Sequence, residues 1–502
     1  MRTDETCRSC DENPFARGHN LSSPIQTHFN LTNRIRDDCS ALLILVQEVD
    51  FGLSEYTYRP GHIAILGGGP AGLIAGFYAR KYGLSFTVHE GKERTGGNSV
   101  TMKHGNFLFD SGPHLLQTKD VEVTNEIRNL LSGELLKVFL PRQTYLNGKL
   151  IDFPFSPLNM LSGMGVPFMM KATIEPLVQR TRRVETQNLE AFAINKYGNS
   201  IARSLVLNYS EKLWGKPCSK LSPKLAGEHL RGLNLPTLFA ELYGGRQKKI
   251  EHIVGSVYYP KTGFGTIAQK FAEACGHQNI RTQSKVTSLF HEAHRIRSIE
   301  LNGEERVSAE EVLSTLPLNL LVQLMRPKAP DNILRIAASM SFRSLVLVVL
   351  FISKRSVTAT ASIYFPDPHV PFTRLHEPKN RSEYMAPEDE TALVVEIPCQ
   401  EGDEVWNSED HFLAQLVKSS LLSMGWISDG DVFDALVVRL NDCYPILDTD
   451  YEWKMERILT YLDTFSNLKV TGRTGTFAYI SLHHILKSSK KIMTRYLESR
   501  AD

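Results

Sequence analysis

Apolar positions along the chain fall into runs of two periods, and their order outlines a fold. Residues 62–66 (His-Ile-Ala-Ile-Leu) form a short apolar run that breaks at Gly67-Gly68-Gly69-Pro70-Ala71-Gly72 and resumes at helical spacing, the pattern of a strand, a turn and a helix. Gly67, Gly69 and Gly72 match G-x-G-x-x-G. In that pattern the first glycine permits the tight turn, the second lets a pyrophosphate approach the backbone, and the third lets the helix pack on the strand. Pro70 and Ala71 then open a helix whose free N–H groups and positive dipole end favour an anion. Arg80 and Lys81 suit the opposite end, and Gly83 is placed to cap it. Leu84, Phe86 and Val88 alternate with Ser85 and Thr87 as a second strand should. It runs to Glu90, about 20 residues beyond the glycines, where an acid can grip a ribose.

The same reading continues down the chain. Residues 139–155 alternate around Asn147-Gly148, the strongest short signal for a type I′ hairpin, and a β-ribbon there would lead out of the first domain. From 157 to about 242 the pattern is helical. Residues 258–267 again hold close-packed glycines and open an amphipathic helix through Ala274. Short strands are expected at 286–290 and 295–301, with a turn near Asn302-Gly303. Segments 341–352 and 392–397 read as strands of a second sheet, and 470–479 reads as a strand passing through glycines into a terminal helix. These runs divide the chain into an extension (1–60) and the segments 61–150, 151–255, 256–335, 336–445 and 446–502.

Composition changes this picture little. The chain has 502 residues, 42% hydrophobic and 22% charged, with a net charge of +2, ordinary values for a two-domain globular protein. No basic block points to nucleic acid or an anionic membrane, so the expected partner is a small molecule. The seven cysteines are an odd, scattered set, which argues against a disulfide scaffold and for a reducing compartment. Cys7 and Cys10 form a C-x-x-C without a second ligand pair nearby. The N-terminal residues lack the apolar core of a signal peptide, and 345–352, the most apolar run, is too short to span a membrane. Residues 41–49 could be a strand or a helix docked on the main body. A cytoplasmic protein is expected.

After Glu90 come Arg94, Gly96, Gly97 and Asn98, and then residues 106–114, Asn-Phe-Leu-Phe-Asp-Ser-Gly-Pro-His. The glycine fingerprint, the acid, the Gly-Gly pair and Phe-Asp-x-Gly-x-His together resemble the FAD-dependent amine oxidase superfamily, in its protoporphyrinogen oxidase-like and UDP-galactopyranose mutase-like branches. The resemblance spans about residues 62–490. It implies an α/β architecture with a Rossmann-like (GR2-type) FAD-binding domain in three parts (61–150, 256–335 and 446–502) and a second α+β substrate domain made of a helical stretch (151–255) and a sheet (336–445). FAD is the implied cofactor, with Gly67, Gly69, Pro70, Ala71, Gly72, Glu90, Arg94, Gly96, Gly97, Asn98, Ser111 and Gly112 along it. Val286 would clamp the adenine through its backbone, and Gly472, Arg473 and Tyr479 would form the second contact, where an arginine suits the pyrophosphate by charge and by its fork of donors. The segment matching Ser111 to His114 backs the reactive edge of the flavin in such proteins. His114 is thus a candidate catalytic residue, the alternative being a loop histidine with an ordinary hydrogen bond.

Residues 208–215, Asn-Tyr-Ser-Glu-Lys-Leu-Trp-Gly, are similar to a mutase motif whose tryptophan sits by the substrate nucleotide. Residues 370–377 and Cys443-Tyr444-Pro445 are also mutase-like. Tyr209, Trp214, Arg343 and Tyr444 are candidate substrate contacts, and Arg374 a candidate catalytic residue. Tyr209 and Trp214 read equally as core aromatics of a helix pair, and the two arginines as ion pairs. Two features depart from the mutases: their run of aromatics and arginines is not recognisable between 232 and 257, and Ser481-Leu482-His483-His484 replaces an acidic segment.

No metal cluster, Ser-His-Asp set or P-loop is visible. Three functions remain: an FAD-dependent oxidoreductase acting on a C–N or C–C bond by hydride transfer to flavin N5, a non-redox isomerase of sugar-nucleotides, or a flavin-binding protein without turnover. The first is preferred. Substrate, electron acceptor and oligomeric state stay open.

Overall fold

The computed structural model describes residues 61–117, 120–139, 141–153, 157–179, 186–226 and 257–499. The Cys7–Cys10 pair, the apolar stretch 41–49 and the segment 227–256 lie outside the described residues.

A five-stranded parallel sheet organises the rest. Its order is Ile280–Arg281, Phe86–His89, Ile63–Leu66, Glu311–Ser314 and Leu468–Val470, so three separate stretches of chain build one sheet. Ile63 and Ile65 face a core containing Leu73, Ile74, Tyr78 and Phe271, whereas Ala64 and Leu66 face another containing Ile296, Val312, Leu321 and Ile458. A strand covered on both faces should be apolar throughout, which explains why 63–66 shows no alternation. The second strand does alternate, yet all four of its residues are buried. The conflict is resolved by His62, whose ring bonds Ser85 Oγ at 2.7 Å and Thr87 Oγ1 at 3.1 Å, giving the polar positions partners inside the protein.

The first strand passes into the helix Pro70–Lys81 through the glycines. Gly67 has φ +101° and donates its N–H to His89 O at 2.8 Å. A Cβ on Gly72 would stand 1.9 Å from Gly67 O, so the third glycine is demanded by the closeness of helix and turn. At the far end Tyr82 ends the helix and Gly83, at φ +68°, donates to Arg80 O, the left-handed stop expected there.

Beside this sheet lies a second layer of order Glu305–Ser308, Arg295–Leu301, Val286–Glu292 and Met325–Arg326. The remaining large sheet has seven strands in the order Val432–Pro445, Phe342–Ile352, Thr391–Cys399, Arg374–His376, Ser362–Tyr364, Arg142–Leu146 and Lys149–Phe153. Its outermost pair is the hairpin read around Asn147-Gly148, with φ of +51° and +75° at the two turn residues as a type I′ turn requires. The helical stretch forms Pro157–Met164, Val166–Gln179, Leu189–Tyr197 and Asn208–Trp214. The last is preceded by a π-helical run, Ala202–Leu207, which changes the phase of the residues that follow. Among the described residues no helix is long and apolar enough to cross a membrane.

The last contribution to the parallel sheet is clipped to the 280–314 stretch by Asn467, whose side chain is fully buried. Its Oδ1 accepts from Ile296 N–H at 2.8 Å, and its Nδ2 donates to Ile296 O at 2.9 Å and Glu310 O at 2.7 Å. Asn467→Ala leaves the N–H and carbonyl of Ile296 without this partner, at a cost of about 1–3 kcal/mol for each group left unsatisfied, whereas Glu310 O keeps Arg295 Nη2 at 3.0 Å. The expected result is a clearly lower denaturant midpoint, measured by urea unfolding. A midpoint equal to the parent's would show that the clip is dispensable.

Candidate active site

The site begins where the parallel strands end, at their carboxyl edge, the place where open α/β sheets bind ligands. Here three stretches meet. Thr315 Oγ1 donates to Leu66 O at 2.9 Å, Thr471 N–H to Ser314 O at 3.0 Å, and Gly96 N–H to Gly68 O at 2.8 Å. Gly472, at φ +86°, lies so near the helix start that a Cβ on it would be 2.8 Å from Ala71 Cβ.

Gly69 differs from its neighbours. Its φ of −73° and ψ of 179° are open to any residue, and a Cβ there would meet nothing nearer than Gly97 Cα at 3.9 Å. The fold itself therefore has no need of glycine at this position. Gly97, at φ +55°, faces it across the gap, and the N–H groups of Ala71 and Gly72 in the first helical turn have no carbonyl within the helix to bond. Two bare backbones and free donors at a positive helix end make a cradle that fits a pyrophosphate.

Glu90 lies beside it, buried. Oε2 accepts from Gly68 N–H and Oε1 from Lys92 N–H, each at 2.8 Å. Each oxygen keeps capacity for a ribose hydroxyl. Ser284 N–H donates to Glu90 O and Gln283 N–H to Lys92 O, which brings the strand opening with Val286 alongside the acid. Arg94 is exposed on the loop between Glu90 and Gly96.

The next wall is the Asn98–His114 segment. Ser111 Oγ donates to Asn98 O and accepts from Val100 N–H at 3.3 Å. His114 Nε2 donates to Asn98 O at 3.3 Å, and its ring stacks on Phe264 at 5.2 Å. A Cβ on Gly112 would touch this imidazole at 3.3 Å. Burial and the Arg473 guanidinium push the His114 pKa down to about 3. The ring is neutral at physiological pH, and it has the ordinary hydrogen bond of a satisfied loop histidine as well as a place on the wall.

Three of the four substrate candidates draw together around the catalytic candidate Arg374. Tyr209 stands edge-on to Tyr364 at 5.7 Å, Trp214 edge-on to Tyr444 at 6.0 Å, and Tyr444 lies 5.9 Å from Tyr479. Arg473 lies 4.9 Å over the Tyr479 ring and donates to Ile480 O, so this cluster adjoins the Gly472-Arg473 side of the cradle. Asn98 joins it from the other side, donating to Asn441 O at 2.8 Å near Cys443. Arg374 sits at the centre. Its Nε donates to Glu396 Oε1 at 2.9 Å, and its Nη2 to Glu396 Oε2 and, at 3.2 Å, to Tyr444 Oη. Burial raises the hydroxyl pKa of both Tyr209 and Tyr444, which keeps them neutral donors.

Trp214 is only 6% exposed and packs with Leu189, Val206 and Cys218, so it is largely a core residue with one edge on Tyr444. Arg343 is set apart from the cluster's centre: it donates to Leu213 O at 2.9 Å and Pro398 O at 3.1 Å, holding the end of the Tyr209–Trp214 helix. Sequence reasoning missed Tyr364, Glu396 and Lys212. Lys212 donates to the carbonyls of Phe365, Asp367 and Phe372 at 2.7–2.8 Å and docks that helix on a loop of the large sheet. Glu396 had a signal, a lone carboxylate inside the apolar strand Thr391–Cys399.

Residues 70–419 match the family of flavin containing amine oxidoreductases. The chain belongs to this family. Its cofactor is FAD, in keeping with the cradle at Gly69 and Gly97. Among curated relatives, the chloroplastic protoporphyrinogen oxidase 1 of Spinacia oleracea is 30% identical over 171 residues, 32% of this chain and 30% of that protein. The coproporphyrinogen III oxidase of Bacillus subtilis is 22% identical over 284 residues, 51% of this chain and 60% of that one. The matches thus span less than two thirds of these relatives. Among solved structures, a reduced UDP-galactopyranose mutase superposes with a TM-score of 0.76 at 18% identity, covering 87% of this chain and 95% of the mutase. Cyclohexylamine oxidase from Brevibacterium oxydans gives 0.62 at 13% identity, covering 88% and 99%. Both share the amine oxidase fold with this chain.

Two outcomes follow from the geometry. Gly69→Val should give a folded, colourless protein, with the melting temperature of the FAD-free parent and at least about a tenfold loss of FAD affinity; retention of flavin at parental stoichiometry would misplace the pyrophosphate. His114 gives a pH signature. Its folded pKa of about 3 lies below the ordinary 6.5, so between these values the unfolded chain binds a proton that the folded one refuses, and stability falls as pH drops. His114→Gln should lose less stability than the parent on going from pH 7 to pH 5, by up to about 2 kcal/mol, read by thermal unfolding. The buried His89 and His376, whose pKa values are also lowered, keep part of the slope in both proteins.

Proposed function

We propose that this chain is an FAD-dependent oxidoreductase acting on a small molecule at the Tyr209–Tyr364–Arg374–Tyr444 cluster. The observation that carries it is Gly69, a glycine the fold does not require, facing Gly97 across a cradle that adjoins this cluster through Arg473 and Tyr479. Bound FAD supplies the acceptor for a hydride at its N5. The chain's own residues supply position and environment. Gly67, Gly69, Pro70, Ala71 and Gly72 hold the pyrophosphate with Gly96, Gly97, Gly472 and Arg473; Glu90 takes the ribose; Val286 lies at the adenine. Ser111, Gly112 and neutral His114 shape the wall behind the ring without adding charge, and the tyrosines exclude water from the substrate. The four described cysteines Cys218, Cys275, Cys399 and Cys443 are free and buried, which supports a reducing, cytoplasmic setting.

A second reading, rearrangement of a sugar-nucleotide by reduced flavin, is favoured by one observation: Tyr209, Trp214, Arg374 and Tyr444, all within mutase-like motifs, converge. It is weakened by Arg374 and Arg343, which spend donors on Glu396 and on backbone carbonyls. The test is anaerobic absorbance of the oxidised holoprotein with coproporphyrinogen III, cyclohexylamine and UDP-galactose. Bleaching by either of the first two is the expected result. A flavin that none of them bleaches, in a protein that interconverts the ring forms of UDP-galactose only after dithionite reduction, would overturn the proposal.

A further inference from the structure

We infer that Glu396 sets the charge selectivity of the substrate site: by closing Arg374 into a two-bonded pair it cancels the positive charge there, so the part of the substrate that reaches the cluster is uncharged. This rests on the reading that the cluster faces the bound flavin.

Several observations converge on it. Glu396 is fully buried and the Arg374 side chain 13% exposed, with Nε and Nη2 directed at the two carboxylate oxygens. The register of the large sheet fixes the pair, since Arg374 lies opposite Glu396 on neighbouring strands. A carboxylate in this position competes with any anion for the same fork of donors. Of the groups around the pair only Arg381 carries a charge, and its guanidinium is turned to Ala361 O and Ser362 Oγ rather than to the pair. Tyr209, Tyr364 and Tyr444 present rings and hydroxyls, and His376, whose Nδ1 lies 3.7 Å from Glu396 Oε1, is wholly buried and has no hydrogen-bond partner among the described residues. Arg343 and Lys212, both half-buried, point at backbone carbonyls away from the pair, and Arg381, buried near His376, donates to Ala361 O and Ser362 Oγ at 3.2 Å each. Arg473 belongs to the cofactor side. The site offers aromatic faces and neutral hydroxyl donors around a self-neutralised pair, which suits an apolar or hydrogen-bonding ring and rejects a carboxylate or phosphate at that point.

The experiment uses the FAD-loaded protein and two isosteric probes, benzamide and benzoate, titrated against the visible flavin spectrum. The parent should bind benzamide at least about tenfold more tightly than benzoate. Glu396→Gln keeps the shape and frees the charge of Arg374, so benzoate affinity should rise by about tenfold or more while benzamide affinity changes little. If that variant fails to hold flavin, the double variant Arg374→Met, Glu396→Met serves in its place, because removing a cancelled pair should leave the parental preference for benzamide. Three outcomes overturn the inference: a parent that prefers benzoate, an unchanged benzoate affinity in a flavin-loaded Glu396→Gln, or a double variant that loses benzoate binding relative to the parent. Lack of a spectral response to both probes in every variant overturns it too, since an occupied cluster beside the flavin must perturb it. A parent that carries no flavin after reconstitution would instead sink the functional reading on which the inference rests.

Discussion

The contact on which the structure depends is the approach of the first helix to the glycine turn, where Gly72 lies against Gly67 O with no room for a methyl group. That approach sets the helix against the sheet, and by doing so fixes where its free N–H groups point. The Gly97 and Gly472 segments dock against it, where a Cβ would stand 3.2 Å from Gly69 Cα and 2.8 Å from Ala71 Cβ respectively. A single steric constraint thus decides the place of the cofactor's phosphates and brings three distant stretches of chain to one edge.

The three glycines of the fingerprint are held by different forces. Gly67 is needed by its conformation and by Thr315, and Gly72 by the carbonyl above it. Gly69 is needed by neither. The motif in the sequence treats them alike, and only the geometry separates the two that serve the fold from the one that serves a ligand. This bears on the cofactor independently of any likeness to other proteins, because a residue the chain does not need for itself points to something the chain binds.

What was legible in the sequence was local. The strand–glycine–helix unit, the Asn147-Gly148 and Asn302-Gly303 turns and the long apolar strands carry their instructions within a few residues. The partners formed across the chain were not legible. Nothing near Asn467 announces that it clips Ile296 and Glu310, and His62 looked like one end of an apolar run until Ser85 and Thr87 were found on its ring. The site divides in the same way. Tyr209 and Tyr444 belong to short motifs, while Tyr364 enters the cluster only because its strand is placed between those of Arg374 and Arg142. Arg374 stood out as a positive charge, but its electrostatic meaning is set by Glu396 on the adjacent strand.

That reversal is physical as well as interpretive. A buried arginine is tolerable only with its donors satisfied, and a buried ion pair adds little net stability over apolar side chains of the same volume, because desolvation consumes most of the attraction. Stability alone therefore gives the chain small reason to place Arg374 and Glu396 in the middle of a sheet whose neighbouring strand is apolar from Leu345 to Ile352. Lys212 sharpens the point. Its ammonium is held by three carbonyls, and burial lowers its pKa to about 8, so its charge too is maintained against the cost of removing it from water. Two such expenditures on either side of Tyr209 are hard to explain as packing. They are explained if the helix carrying Tyr209 must be held in one position and the guanidinium beside it must present a fixed edge without a free charge, which is what a site for a neutral ring beside a flavin requires.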